Sequence, residues 1–114
     1  MVTPFDPNSH ITSAPAFATK LGITQTELAK LTGIDRHSFY RHSGLRKLNE
    51  AIRPLLNILN LACEMTGSDQ RAALWFKHQP IPGWAGKTAF DLVSERKSDR
   101  VLAYLKSVQS GVYS

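Results

Sequence analysis

The chain has one cysteine, Cys63, in 114 residues. That excludes an internal disulfide framework. No uncharged run approaches membrane-spanning length. There is no internal repeat, no low-complexity tract and no strict two-residue alternation of the kind that marks a strand. Acidic side chains are scarce: nine Asp and Glu face fourteen Lys and Arg, giving a net charge of +5 and a pI near 9.7. Such an excess favours a polyanionic partner. The start of the chain, MVTPFDPNSHITSAP, has no basic residues ahead of an apolar stretch. It does not read as a signal peptide, and the cytoplasm is the expected compartment. Its three prolines and several turn formers predict a flexible or extended arm over residues 1–13.

Hydrophobic residues make up 42% of the chain, enough for a core and too many for disorder. The length leaves room for one compact domain, or for two small lobes sharing a core. The periodicity is helical throughout. A first helix is expected over residues 14–21, closed by Gly22. The apolar residues Ile52, Leu55, Leu56, Ile58, Leu59, Leu61, Ala62 and Met65 cover more than one side of a long helix that begins near Asn49 or afresh at Pro54. Such a helix is a central one, and its surplus apolar surface is the expected seam of a homodimer. Cys63 lies in this run, where a thiol packs as a small hydrophobe. Ser68 caps a helix over residues 69–78, and residues 79–86 form a loop rich in Pro and Gly. A short helix follows over residues 88–95. Ser98 then caps a last helix that Gly111 stops.

Residues 25–44, QTELAKLTGIDRHSFYRHSG, read as two short helices and a tight turn. In the first, Leu28 and Leu31 recur at helical spacing, and Thr24 with Glu27 three residues on forms a capping box. Gly33 ends it, Ile34 buries the turn, and Asp35 can cap the next helix. There Phe39 is the apolar anchor, while Arg36, His37, Tyr40 and Arg41 point elsewhere. Residues 43–48 are a basic connector. Such a helix-turn-helix lays its second helix in the major groove of DNA. Charge agrees: between Lys20 and Arg53, seven basic residues are opposed only by Glu27, Asp35 and Glu50. The pattern assigns Arg36, His37, Ser38 and Tyr40 to base edges. It assigns Arg41, Arg46 and Lys47 to phosphates, and Gln25 to the DNA backbone at the start of the helix pair.

With Gln25, Ala29, Gly33, Ile34 and Phe39 in these places, the segment resembles the helix-turn-helix of the Xre class of bacterial repressors; His42 departs from the Trp usual there. The C-terminal half carries a second resemblance. Ala73-Leu74-Trp75-Phe76, Pro80, a Gly-containing loop, Lys87-Thr88-Ala89-Phe90-Asp91-Leu92-Val93, a helix with Val101 and Leu105, and Gly111-Val112-Tyr113 follow in order. This is similar to the toxin-binding domain of the Xre/MbcA/ParS antitoxin family. It departs in the loop, with Gln79-Pro80-Ile81-Pro82 where a Pro-Asn pair is common, and at Arg96-Lys97-Ser98, which lacks a glycine that many members carry. The resemblance implies an antitoxin of a type II toxin-antitoxin module, without enzymatic activity. Its partners would be a RES-domain toxin that consumes NAD and its own operator DNA.

The expected architecture is therefore all-α. A helix-turn-helix domain with the central helix (residues 14–67) is joined to a toxin-binding lobe (residues 68–114). Two rivals stay open: a stand-alone repressor, and a toxin-binding module whose helix-turn-helix does not bind DNA.

Catalytic patterns fail. Gly86-Lys87-Thr88 resembles the end of a phosphate-binding loop, but Ile81 stands where that motif needs glycine. His10, His37, His42 and His78 are scattered, and His37 and His42 lie about 140° apart around a helix. Asp91 and Glu95 share a face as a solvated pair. No cofactor and no metal is expected. Trp84, between prolines and glycines, is either an interface anchor or a lid folded on the core. The tail Val112-Tyr113-Ser114 either folds back on Leu102 or Leu105, or enters the toxin's cleft, with Lys87, Arg100 and Tyr104 around it.

Overall fold

In the computed structural model, which describes Phe5 and residues 10–111, local punctuation sets the first helices. Ser13 caps α1 (Ala14–Leu21) by accepting from the Ala16 N–H, Pro15 occupies the first turn, and Gly22 closes it at φ 75°. The Thr24–Glu27 capping box is complete at the start of α2 (Gln25–Thr32). Within the expected arm, Phe5 is buried edge-on against Phe17, 6.4 Å between ring centroids. Ile11 exchanges two hydrogen bonds with the Asn49 side chain, at 2.8 and 3.0 Å.

The second helix of the pair departs from expectation. Residues Arg36–Tyr40 form a five-residue 3-10 turn, and Arg41 is extended at φ −99°, ψ 147°. A fresh helix, α3 (His42–Ala51), begins at once. Residues 43–48 are therefore helix and not a connector. The reason is tertiary. Gly44 packs against the backbone of Ser38, where a Cβ would meet the Ser38 carbonyl, so the turn and α3 stack more closely than any other residue allows. The central helix restarts at the proline: α4 (Arg53–Thr66) has Pro54 in its first turn, where a missing N–H costs nothing. α5 (Asp69–His78) is capped by Ser68. α6 (Ala89–Ser94) is opened by a second capping box, Thr88 with Asp91. α7 (Ser98–Gln109) begins without a side-chain cap, so Ser98 lies inside the helix rather than ahead of it.

The described residues contain no strand, only one isolated bridge between Pro80 and Thr88. α4 packs against α5 and α7, and α2 packs against α6. Leu55, Leu56, Ile58, Leu59 and Ala62 are buried within the chain's own core. They are not free to form the dimer seam expected of them, because α5 and α7 already cover that surface. Buried side chains of both halves, from Phe17 and Leu28 to Leu92 and Leu105, belong to one cluster. At roughly 1.5–3 kcal/mol for each large apolar side chain, that shared cluster is the main force holding the halves together.

Candidate functional site

The face expected to meet DNA is built on α2. Its capping box fixes where Gln25 starts, and Gly33 at φ 73° ends the helix with its N–H bonded to the Ala29 carbonyl. Asp35 then accepts from the His37 N–H at 3.2 Å and starts the 3-10 turn. Ile34 and buried Phe39 hold that turn on the core. The turn carries Arg36 and Tyr40 back over the beginning of α2. The Tyr40 hydroxyl donates to Gln25 Oε1 at 2.7 Å, and Arg36 Nη1 donates to Thr26 Oγ1 at 3.4 Å. Tyr40 remains 70% exposed. Gln25, Arg36 and Tyr40 are thus brought together, and His37 joins Arg36 along a shallow groove beside Lys30 and Gly33. Ser38 is half-buried, with its backbone against Gly44. Arg41, Arg46 and Lys47 are exposed, the last two on α3.

One residue of this face was missed in the sequence. Arg96, from the turn between α6 and α7, lines the same groove. Its Nη1 donates to the Leu31 carbonyl at 2.8 Å, a bond spanning 65 positions. No local signal could have placed it there.

The second cluster lies around the loop before α6. The Ile81 N–H bonds to the Lys87 carbonyl at 2.8 Å, and buried Ile81 pins the loop to the core. Gly83, Ala85 and Gly86 turn the chain at positive φ. Trp84 is half-buried against the core, and the Lys97 ammonium lies 5.5 Å from its ring centroid, in cation–π range. Lys87 pairs with Glu95 at 2.7 Å, and Lys97 with the same carboxylate at 3.5 Å. The Lys87 hydrogen bond is the main reason the Glu95 carboxyl titrates below its usual range. These pairs are solvent-exposed and worth little in stability. Arg100 is exposed on α7 beside Asp99 at 3.8 Å, and Tyr104 is half-buried one turn later. The expected tail contacts, Val112, Tyr113 and Ser114, lie outside the described residues.

Asp91 is not a solvated partner of Glu95. Its carboxylate accepts from the Thr88 N–H at 3.0 Å and completes the α6 cap, a T-x-x-D signal visible in the sequence. Thr88 and Lys87, the end of the apparent phosphate loop, are thereby committed to a helix cap and an ion pair. Cys63 donates to Asp69 Oδ1 at 3.2 Å, and desolvation first, then Asp69, pushes its thiol up to about 12. Among the described residues no three His, Cys, Asp or Glu side chains converge as a metal site. No described helix is long and apolar enough to cross a membrane.

Residues 61–111 match the family model of the antitoxin Xre/MbcA/ParS C-terminal toxin-binding domain. The match begins in the second half of α4 and takes in α5, α6 and α7. It supports an antitoxin role and a toxin as partner. No curated protein and no solved structure matches the chain.

Proposed function

We propose that the chain is an antitoxin that binds and neutralises a RES-domain toxin through its C-terminal half, and binds operator DNA through its helix-turn-helix to repress its own operon. The match over residues 61–111 carries the toxin-binding part of this reading. The resemblance of the same segment supplies the RES identity of the toxin. Val112, Tyr113 and Ser114 enter the toxin's cleft and block access of NAD, with Trp84, Lys87, Arg100 and Tyr104 bordering the contact. Co-expression with the RES toxin tests it. The full chain rescues growth and preserves cellular NAD, and removal of residues 112–114 abolishes both while leaving the helices intact by circular dichroism. Rescue by the shortened chain would show that the tail does not inhibit.

Support for DNA binding comes from the cluster of Gln25, Arg36, His37 and Tyr40 and the positive charge around it. In this reading Arg36 and Tyr40 meet base edges, and Arg41, Arg46 and Lys47 meet phosphates. The double variant Arg36→Ala, Tyr40→Ala weakens operator binding by about 1–3 kcal/mol for each base-specific pairing removed. Operator affinity unchanged in a mobility shift would refute the assignment. A toxin-binding module without DNA binding is the second reading. What favours it is that the groove-reading segment is a single 3-10 turn rather than a full helix. A promoter duplex left unshifted by the full chain would select that reading.

The homodimer belongs to the proposal as well, since two half-sites raise affinity and specificity together. Its seam must lie outside the buried face of α4. The strip of Leu61, Met65 and Val108, between the C-terminal ends of α4 and α7, is one apolar surface still in reach of a second copy.

A further inference from the structure

Arg96 is strained where it need not be. Its φ is 65°, in the left-handed region that strains an ordinary residue and not glycine. Glycine would make this turn without strain. An arginine held there calls for a reason at the end of its side chain.

That side chain reaches across to α2. Nη1 takes the Leu31 carbonyl at 2.8 Å, one of the last carbonyls that a helix leaves unpaired. The guanidinium lies directly on Gly33, where a Cβ would collide with Nη2. Gly33 thus serves both the turn and the close approach of Arg96. The charge at a helix C-terminus and the charge-assisted hydrogen bond to the Leu31 carbonyl both offset that strain. The cap nonetheless engages only one end of the guanidinium fork.

The position of the guanidinium gives the rest of the fork a place to act. It lines the groove shared by Thr26, Lys30, Arg36 and His37, and the residue is exposed. The one acidic side chain in the groove, Asp35, already accepts from the His37 N–H. Among the described residues the guanidinium has no further hydrogen-bond partner besides Leu31. We propose that Arg96 is a DNA-backbone contact: a fork fixed at one end by the Leu31 carbonyl, with its remaining donors directed to a phosphate of the duplex that α2 and the 3-10 turn engage. Fixing the fork beforehand removes the ordering cost that a mobile surface arginine carries into such a contact. The half of the chain that matches the toxin-binding family thereby contributes to the DNA-binding face. This inference rests on the DNA-binding reading above.

The test uses the full chain, a duplex carrying its own upstream promoter and an unrelated duplex of equal length, with affinities measured by fluorescence anisotropy across a potassium chloride series. Arg96→Gly keeps the turn at positive φ and deletes the fork. Arg96→Gln removes the charge and keeps an amide donor. Both variants should weaken binding to the two duplexes alike. Both should lower the slope of log affinity against log salt by about 0.9, the signature of one phosphate no longer neutralised. Their deficit should accordingly shrink by about threefold between 50 and 200 mM salt. A purely structural role would shift the melting temperature and leave the slope alone. Either neutral variant that folds and keeps the wild-type slope overturns the proposal, so failure of one to fold leaves the other decisive. Wild-type protein that binds neither duplex overturns the DNA-binding reading itself, and the contact with it.

Discussion

Gly44→Ala sets two effects of opposite sign against each other. Gly44 is the third residue of α3, and in an ordinary helix alanine there is better than glycine by about 1 kcal/mol. Propensity alone therefore predicts a more stable protein. The structure predicts the reverse. An added Cβ would run into the Ser38 carbonyl oxygen and carbon, both backbone atoms that no rotamer change can move aside. That same carbonyl accepts from the Arg41 N–H at 3.1 Å, the bond that closes the 3-10 turn. Overpacking of this kind costs about 1–3 kcal/mol, and loosening the closing bond adds about 1 kcal/mol. After the propensity gain, the net loss is about 1–3 kcal/mol.

For a domain near this size, 1 kcal/mol moves the melting temperature by about 4–8 °C. Thermal unfolding followed by circular dichroism should therefore show a drop on the order of 5–15 °C. Ser43→Ala, at the exposed neighbouring position, should melt within about 4 °C of wild type, since a surface change of this kind is worth about 0.5 kcal/mol or less. In the proposed reading the displaced turn also carries Arg36 and Tyr40 off register, so operator binding falls with stability. A Gly44→Ala protein that melts at or above wild type would show that the turn and α3 do not stack as described.

Two further outcomes follow from titrating groups. With its pKa pushed from 9.0 to about 12, the Cys63 thiol should carry about a thousandfold less thiolate at pH 8 than a free cysteine, and its reaction with a disulfide reagent should be slowed accordingly until the protein is unfolded; a native rate equal to the denatured one would refute its burial against Asp69. The Glu27 carboxyl is held below its usual range, chiefly by the Thr24 N–H and then by Lys77. Its contribution is therefore present above the ordinary carboxylate pKa and is lost as pH falls through the lowered value. Glu27→Gln should lower stability near neutrality and flatten the acid limb of a stability-against-pH curve, and an unchanged acid limb would count against the capping box.

Where the controlling interaction is local, the sequence was legible to the residue. Gly22 closes α1 and Ser68 begins α5 as read, because caps and breakers act within four positions of themselves. The 3-10 turn and α3 were misread for the complementary reason. Asp35 and Phe39 look like a helix in isolation, and Gly44 looks like its end; the approach of α3 to Ser38 decides otherwise. The apolar run of α4 announced burial but not its cover, so a seam with a second copy was expected where α5 and α7 lie. At the site, the exposure of Arg36 and Tyr40 could be read from the pattern, whereas their partners Thr26 and Gln25 depend on how the turn folds back. The missing glycine at Arg96 was visible as an oddity, but its purpose depends on a carbonyl 65 positions away.

That long-range bond has a counterpart at the other end of the same helix. Lys77 of α5 donates to the Gly22 carbonyl at 3.1 Å and lies 3.6 Å from the Glu27 carboxylate of the capping box. α2 is thus held at its first turn by Lys77 and at its last by Arg96, both from the segment that matches the toxin-binding family. Between these two cations, Leu28 and Leu31 are buried in the cluster that also contains Phe76, Leu92 and Val93. A boundary drawn between residues 67 and 68 therefore separates two stretches of sequence but not two cores. The helix that orients Gln25 and the 3-10 turn is seated on α6 and tied to α5 through Lys77. Hydrophobic burial supplies most of that attachment and the two cations fix its register, because burial is non-directional whereas each hydrogen bond admits one geometry. The groove-facing residues consequently take their positions from the C-terminal half as much as from their own helix pair.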